Sequence, residues 1–129
     1  MSNDARENRI DYVEFLVART DDVNAAKRFY GSVFGWAYKD WGPEYADTQS
    51  SGVTSGVTVD PSRAGRPLIV IYVTDLEGAR KRALAAGAKL TKDIFSFPGG
   101  RRFQFTDPAG NELGVWTDKD SNGKAIAHS

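Results

Sequence analysis

One pattern, written twice, limits what this chain can fold into. Val23, Ala26, Tyr30 and Val33 fall at i, i+3, i+7 and i+10, and Leu76, Ala79, Ala83 and Ala86 take the same phases 53 positions later. Apolar residues at that spacing make a single buried stripe on an amphipathic helix. Asp22 and Asp75 stand before the stripes as N-cap candidates, because a carboxylate accepts hydrogen bonds from the first free helical amides. Gly35 and Gly87 follow them, where a left-handed terminating residue costs least. A β-branched and aromatic run leads into each helix, IDYVEFLV at 10–17 and PLIVIYV at 67–73, and both read as strands. A short strand is expected after each helix, near WAYKDW and AKLTKD.

Two more strands complete each half. YADTQSSGVTSGVTV supplies them about a Ser/Gly turn, while RRFQFTDPAGNELGVW is a hairpin with Pro108 where a fixed φ belongs and Gly110 where φ turns positive. IFSFPGG reads as the loop before that hairpin, and DPSRAGR at 60–66 as the link between halves. The expected fold class is α+β. Two βαβββ modules, 9–60 and 66–118, build one curved mixed sheet with helices outside and a concave cup within, in a single domain over 9–118. Polar tails are expected at 1–8 and 119–129. A chain of 129 residues can bury such a core without staples.

Composition removes whole classes of function. With 17 basic against 17 acidic side chains, no excess field recruits nucleic acid or an anionic membrane. The absence of cysteine excludes thiol nucleophiles, thiolate metal sites and disulfides. The single histidine, His128, is placed in the terminal tail. MSNDARENRIDY is charged, unlike a secretory leader, and no apolar run is long enough to span a bilayer, so a cytoplasmic protein is expected.

YVEF, AAKRFYGSVFGW, FSFPGGRRFQF and DPAGNELGVW, in that order over about 10–117, resemble the vicinal oxygen chelate superfamily of glyoxalases, bleomycin-resistance proteins and extradiol dioxygenases. The resemblance implies the same paired βαβββ cup, and a homodimer. It also implies metal ligands on the first and last strand of each module, positions that fall here on Tyr12, Leu68, the GVTSGVTV strand and Gly114. A divalent ion needs several converging oxygen or imidazole donors, so no metal and no cofactor is expected.

Side chains alternate across a strand, which assigns the cup face once core residues are chosen. If Val13, Phe15 and Val17 face the helices, Tyr12, Glu14 and Leu16 face the cup; Leu68, Val70 and Tyr72 follow by the same rule. With Phe103, Phe105, Leu113 and Val115 inward, Arg102, Gln104, Thr106, Glu112, Gly114 and Trp116 lie opposite. The expected ligand-binding set is Tyr12, Glu14, Tyr72, Arg102, Gln104 and Trp116, aromatic walls with a few polar groups. Glu112, beside the turn, is expected at the solvent side. The leading reading is a small-molecule binder that sequesters an aromatic or cationic compound without the usual metal. An enzyme with Glu14 as general base and Gln104 or Arg102 at a developing oxyanion stands beside it. A glyoxalase or dioxygenase with unusual metal ligands, and a dimeric accessory domain without ligand, complete the set.

Overall fold

The computed structural model describes residues 4–127, which divide into two compact units: Asp11–Ile69, and the segment up to Ile10 together with Val70 onward. The element order is β1 (Arg9–Val17), α1 (Thr20–Phe34), β2 (Lys39–Asp40), β3 (Tyr45–Thr48), β4 (Thr54–Val59), a 3-10 turn (Pro61–Arg63), β5 (Leu68–Tyr72), α2 (Leu76–Ala85), β6 (Lys89–Phe97), β7 (Gly100–Thr106) and β8 (Glu112–Thr117). Each half is thus βαβββ and the class is α+β, as the repeat predicts. Strand order is β2-β3-β4-β1 in the first half and β5-β8-β7-β6 in the second. β1 runs parallel to β4, whereas β3–β4, β6–β7 and β7–β8 are antiparallel.

In the first unit Val23 of α1 meets Ala46 and Val57, with Phe15, Val17 and Ala26 packed around them. In the second, Leu76 joins Val73, Phe103 and Val115, flanked by Ala79, Ala83, Leu90, Ile94 and Phe105. The parity assignment therefore holds on β1, β7 and β8. Burying each of these large side chains contributes about 1.5–3 kcal/mol.

Details of the helices depart from the sequence pattern. Asp75 caps α2 by accepting the Gly78 amide, but α1 begins at Thr20 and Asp22 sits three residues inside, accepting the Arg19 amide at 3.1 Å. A carboxylate at that position reaches back to the cap just as well, so the helix gains a turn. Val33 is 54% exposed. The buried stripe of α1 ends instead at Tyr30, whose ring stacks on Trp36 at 5.1 Å. IFSFPGG is also not a loop: Ile94–Phe97 continue β6, and only Pro98 and Gly99, the latter at φ 91°, turn the chain. Ile94 supplies the core while Phe95 and Phe97 point to the other face, an alternation strong enough to carry the strand up to the Pro-Gly turn. His128 lies outside the described residues. Among those described, no helix is long and apolar enough to cross a membrane.

Candidate functional site

The six expected binding residues divide between the two units. Tyr12 and Glu14 belong to the first unit; Tyr72, Arg102, Gln104 and Trp116 belong to the second.

On the first unit's face away from α1, Glu14 stands opposite Gly56, and Gly56 opposite Asp47, so two carboxylate-bearing positions flank a bare one. Tyr12 and Tyr45 reach toward each other over that gap, their hydroxyls 2.6 Å apart. Gly56 is what admits them: a Cβ there would lie 1.8 Å from the Tyr12 hydroxyl and 2.8 Å from Tyr45 Cε1. Burial pushes the Tyr45 hydroxyl up to about 12, and Tyr12 rises further through burial, its partner hydroxyl, and the negative charges of Glu14 and Asp47. Both phenols therefore stay protonated at neutral pH and serve as hydrogen-bond donors. Glu14 is 7% exposed. Tyr45 and Asp47 escaped the sequence reading, although YADT carries their signal, since Ala46 between them faces the core. An apolar groove of about 260 Å³ lies on the helix side of this unit, lined by Phe15, Val17, Ala26, Tyr30 and Pro67 among others. It lacks the convergent polar groups that orient a ligand.

The second unit's face is richer. Arg102 lies opposite Trp116 on one side and Phe95 on the other, and its guanidinium sits 5.2 Å from the Phe95 ring and 5.9 Å from Phe97. Lys92 pairs with Gln104, whose other neighbour is Gly114. Gln104 is 1% exposed; its amide nitrogen donates to Glu112 at 2.9 Å, while its carbonyl oxygen is buried with no hydrogen-bond partner among the described residues. Glu112 is thus not simply solvated, for it also accepts from the Thr91 hydroxyl. Arg101, on the opposite parity, pairs with Glu77 of α2 and donates to the Lys119 carbonyl, a clamp on the fold.

Tyr72 and Trp116 meet edge to face at 5.2 Å. Above them lies a residue that no local pattern marks: Arg6, with its guanidinium 3.8 Å from the Tyr72 ring centre and 5.8 Å from Trp116. It pairs with Asp4 at 2.6 Å and Asp118 at 3.0 Å, and Asp118 in turn accepts the Tyr72 hydroxyl at 2.6 Å. Hydrogen bonds from Arg6 push the Asp4 carboxyl down to about 2. Asp118, although burial works to raise it, is held below its ordinary value by Tyr72, Arg6 and Lys119. A carboxylate depressed on folding adds stability above its unfolded pKa and loses it as pH falls through the folded value. Arg6→Ala should therefore melt lower than the wild type near about pH 6, and that gap should close as pH falls from about 4 to about 2. Melting curves across that range check it; a gap constant with pH would contradict the assignment.

A divalent ion in the manner the resemblance implies does not fit these residues. Tyr12 is committed to Tyr45, Leu68 is apolar and fully buried, β4 offers only the hydroxyls of Thr54, Ser55 and Thr58, and Gly114 has no side chain. Among the described residues no three His, Cys, Asp or Glu side chains converge.

The model of the Glyoxalase/Bleomycin resistance protein/Dioxygenase superfamily matches residues 9–115. The putative glyoxylase CFP32 of Mycobacterium bovis is 31% identical over 110 residues, 76% of this chain and 42% of that protein. The chain thus spans less than half the length of the curated relatives it matches. Among solved structures, the Mn(II)-bound glyoxalase from Novosphingobium aromaticivorans aligns with a TM-score of 0.59 and 25% identity, covering 96% of this chain and 42% of that one. A glyoxalase/bleomycin resistance protein/dioxygenase superfamily member from Vibrio splendidus 12B01 aligns with a TM-score of 0.62 and 19% identity, covering 83% and 97%, a likeness of fold.

Proposed function

This chain belongs to the glyoxalase/bleomycin resistance protein/dioxygenase superfamily, and from that premise we propose that it binds a small organic molecule without the metal site of its metal-binding relatives. One observation carries the reading. Gln104 is buried on a sheet face beside aromatic and cationic groups, with its nitrogen committed to Glu112 and its carbonyl oxygen without a partner among the described residues. A buried acceptor left unsatisfied costs about 1–3 kcal/mol, a cost that a ligand N–H or O–H removes on arrival. Phe95, Phe97 and Trp116 supply flat apolar contact, and Arg102 a cation that meets a ligand's carbonyl or carboxylate.

A thermal-shift panel of aromatic amines, amides and phenols tests this. A compound that raises the wild-type melting temperature should lose about tenfold or more in affinity for Gln104→Met. The variant alone should melt within a few degrees of wild type, because the lost bond to Glu112 is offset by removing the orphaned oxygen. Equal stabilisation of both proteins by every compound would overturn the reading. Elemental analysis belongs beside it, since a stoichiometric metal would favour a glyoxalase or dioxygenase with unusual ligands.

A catalytic reading is favoured by the other face. Glu14 is buried near two phenols that stay protonated, so it can act as general base while Tyr12 or Tyr45 donates to a developing oxyanion. Glu14→Gln that binds a panel compound yet loses its turnover would support that reading over sequestration. The working form is taken to be a cytoplasmic homodimer, with neither nucleic acid nor membrane as partner.

A further inference from the structure

We propose that Tyr72, Trp116 and Asp118 form a recognition box for a flat organic cation of the guanidinium class, and that the Arg6 side chain is a displaceable occupant of that box. The proposal rests on the ligand-binding reading above, because Tyr72 and Trp116 belong to the face assigned there.

The box itself is built on strands. Tyr72 ends β5 and Trp116 lies in β8; the Val73 amide donates to the Trp116 carbonyl at 3.0 Å and fixes the two side chains relative to each other. Asp118, one residue past β8, is oriented by the Tyr72 hydroxyl. A planar cation over an aromatic face, with its edge on a carboxylate, is the arrangement that suits a guanidinium better than a compact ammonium. Arg6 adopts it: ring face at 3.8 Å, Nη2 to Asp118 Oδ2 at 3.0 Å. Lys119 Nζ lies 3.2 Å from Asp118 Oδ1, so the carboxylate keeps a cation beside it whatever else occupies the box.

The occupant is attached differently from the box. Arg6 stands in turns before β1, and its Nε and Nη2 bind Asp4, two residues back on the same segment. Half of its charge compensation thus travels with it. Swinging away from Tyr72 leaves Arg6 paired with Asp4 rather than stripped of counter-charge, and its side chain is already 35% exposed. The segment need not move, since the Asn8 amide on the Tyr72 carbonyl and the Glu7 carboxylate on the Thr74 amide hold it independently.

Methylguanidinium is the probe, added to the full ¹⁵N-labelled chain against equal sodium chloride. In Arg6→Ala the Trp116 indole resonance should shift saturably, at a concentration about tenfold or more below that needed for the wild type, with trimethylammonium weaker. The same response in both proteins, or none, would overturn the proposal. Should Arg6→Ala not fold, the wild type still answers: saturating methylguanidinium should move the Arg6 Nε–H resonance off its Asp4- and ring-shifted position, and an unmoved resonance sinks the idea. A panel compound lost in Gln104→Met with no methylguanidinium effect overturns the box alone. Methylguanidinium saturation with no panel compound sensitive to Gln104 overturns the Gln104 reading alone.

Discussion

Phe103→Ala should lower the stability of this protein by about 3–5 kcal/mol, close to the whole margin of a small domain. Phe103 is fully buried on β7, and it touches the elements that α2 covers: Leu76 of the helix, Val115 of the neighbouring strand and Val73 just past β5. Phe105 stands 6.1 Å from it, ring centre to ring centre. Truncation removes the transfer energy of the ring and leaves a cavity that two sheet strands and a helix cannot close without losing their own contacts. Urea unfolding followed by tryptophan fluorescence should show the midpoint falling steeply while the slope stays constant. Phe29→Ala is the control, since that ring is 59% exposed and its loss should change stability by less than about 0.5 kcal/mol. Comparable losses in both variants would mean that the core is not where the packing puts it.

Gly56→Ala should cost about 2–3 kcal/mol, although only one methyl group is added on a strand. The cost comes from the phenols above it. The added carbon would lie 1.8 Å from the Tyr12 hydroxyl oxygen, and moving that hydroxyl breaks its bond to Tyr45 inside a buried face. Removing the obstructing oxygen should relieve part of the strain, so Tyr12→Phe with Gly56→Ala should be less destabilised than the sum of the single changes. A spectrophotometric titration gives an independent check, because phenols driven toward water titrate nearer the ordinary value of about 10. Additive losses and an unchanged titration would show that the two tyrosines do not cross over Gly56.

Much of this architecture is legible locally. The two stripes as far as Tyr30 and Ala83, the Asp75 cap and the Asp107–Asn111 turn depend on contacts within a few residues, where periodicity and turn chemistry act, whereas Val33 and Ala86 are exposed; Asp107 accepts from the amides of Ala109 and Asn111. Parity then carried the faces of β1, β7 and β8, because a strand with one buried side leaves no freedom for the other. Contacts between distant segments were not legible. Arg6 and Asp118 are 112 positions apart, and Tyr12 and Tyr45 are 33, so neither pair leaves a trace in any local pattern. Alternation puts Tyr72 and Trp116 on the cup face, but only the assembled unit reveals that the two rings meet and that the carboxylate beside them is Asp118. The strand within IFSFPGG is illegible for a different reason. Proline and glycine there mark the turn itself, and their weight in the pattern hid the strand that runs up to it.

β6 has one more consequence. Between Leu90 and Phe95 its register against β7 slips twice, and each slip interrupts the row of amides and carbonyls that a flat strand would present. It is the last strand in its order, and it carries Lys89, Lys92 and Asp93. The outermost strand of the other half, β2, is only two residues long. Neither offers a template on which a further strand could lengthen. Edge-to-edge aggregation by this route is therefore disfavoured. Self-association of this chain is thereby steered to side-chain surfaces, such as the exposed Phe29 and Phe34 of α1, and away from extension of the sheet at β2 or β6.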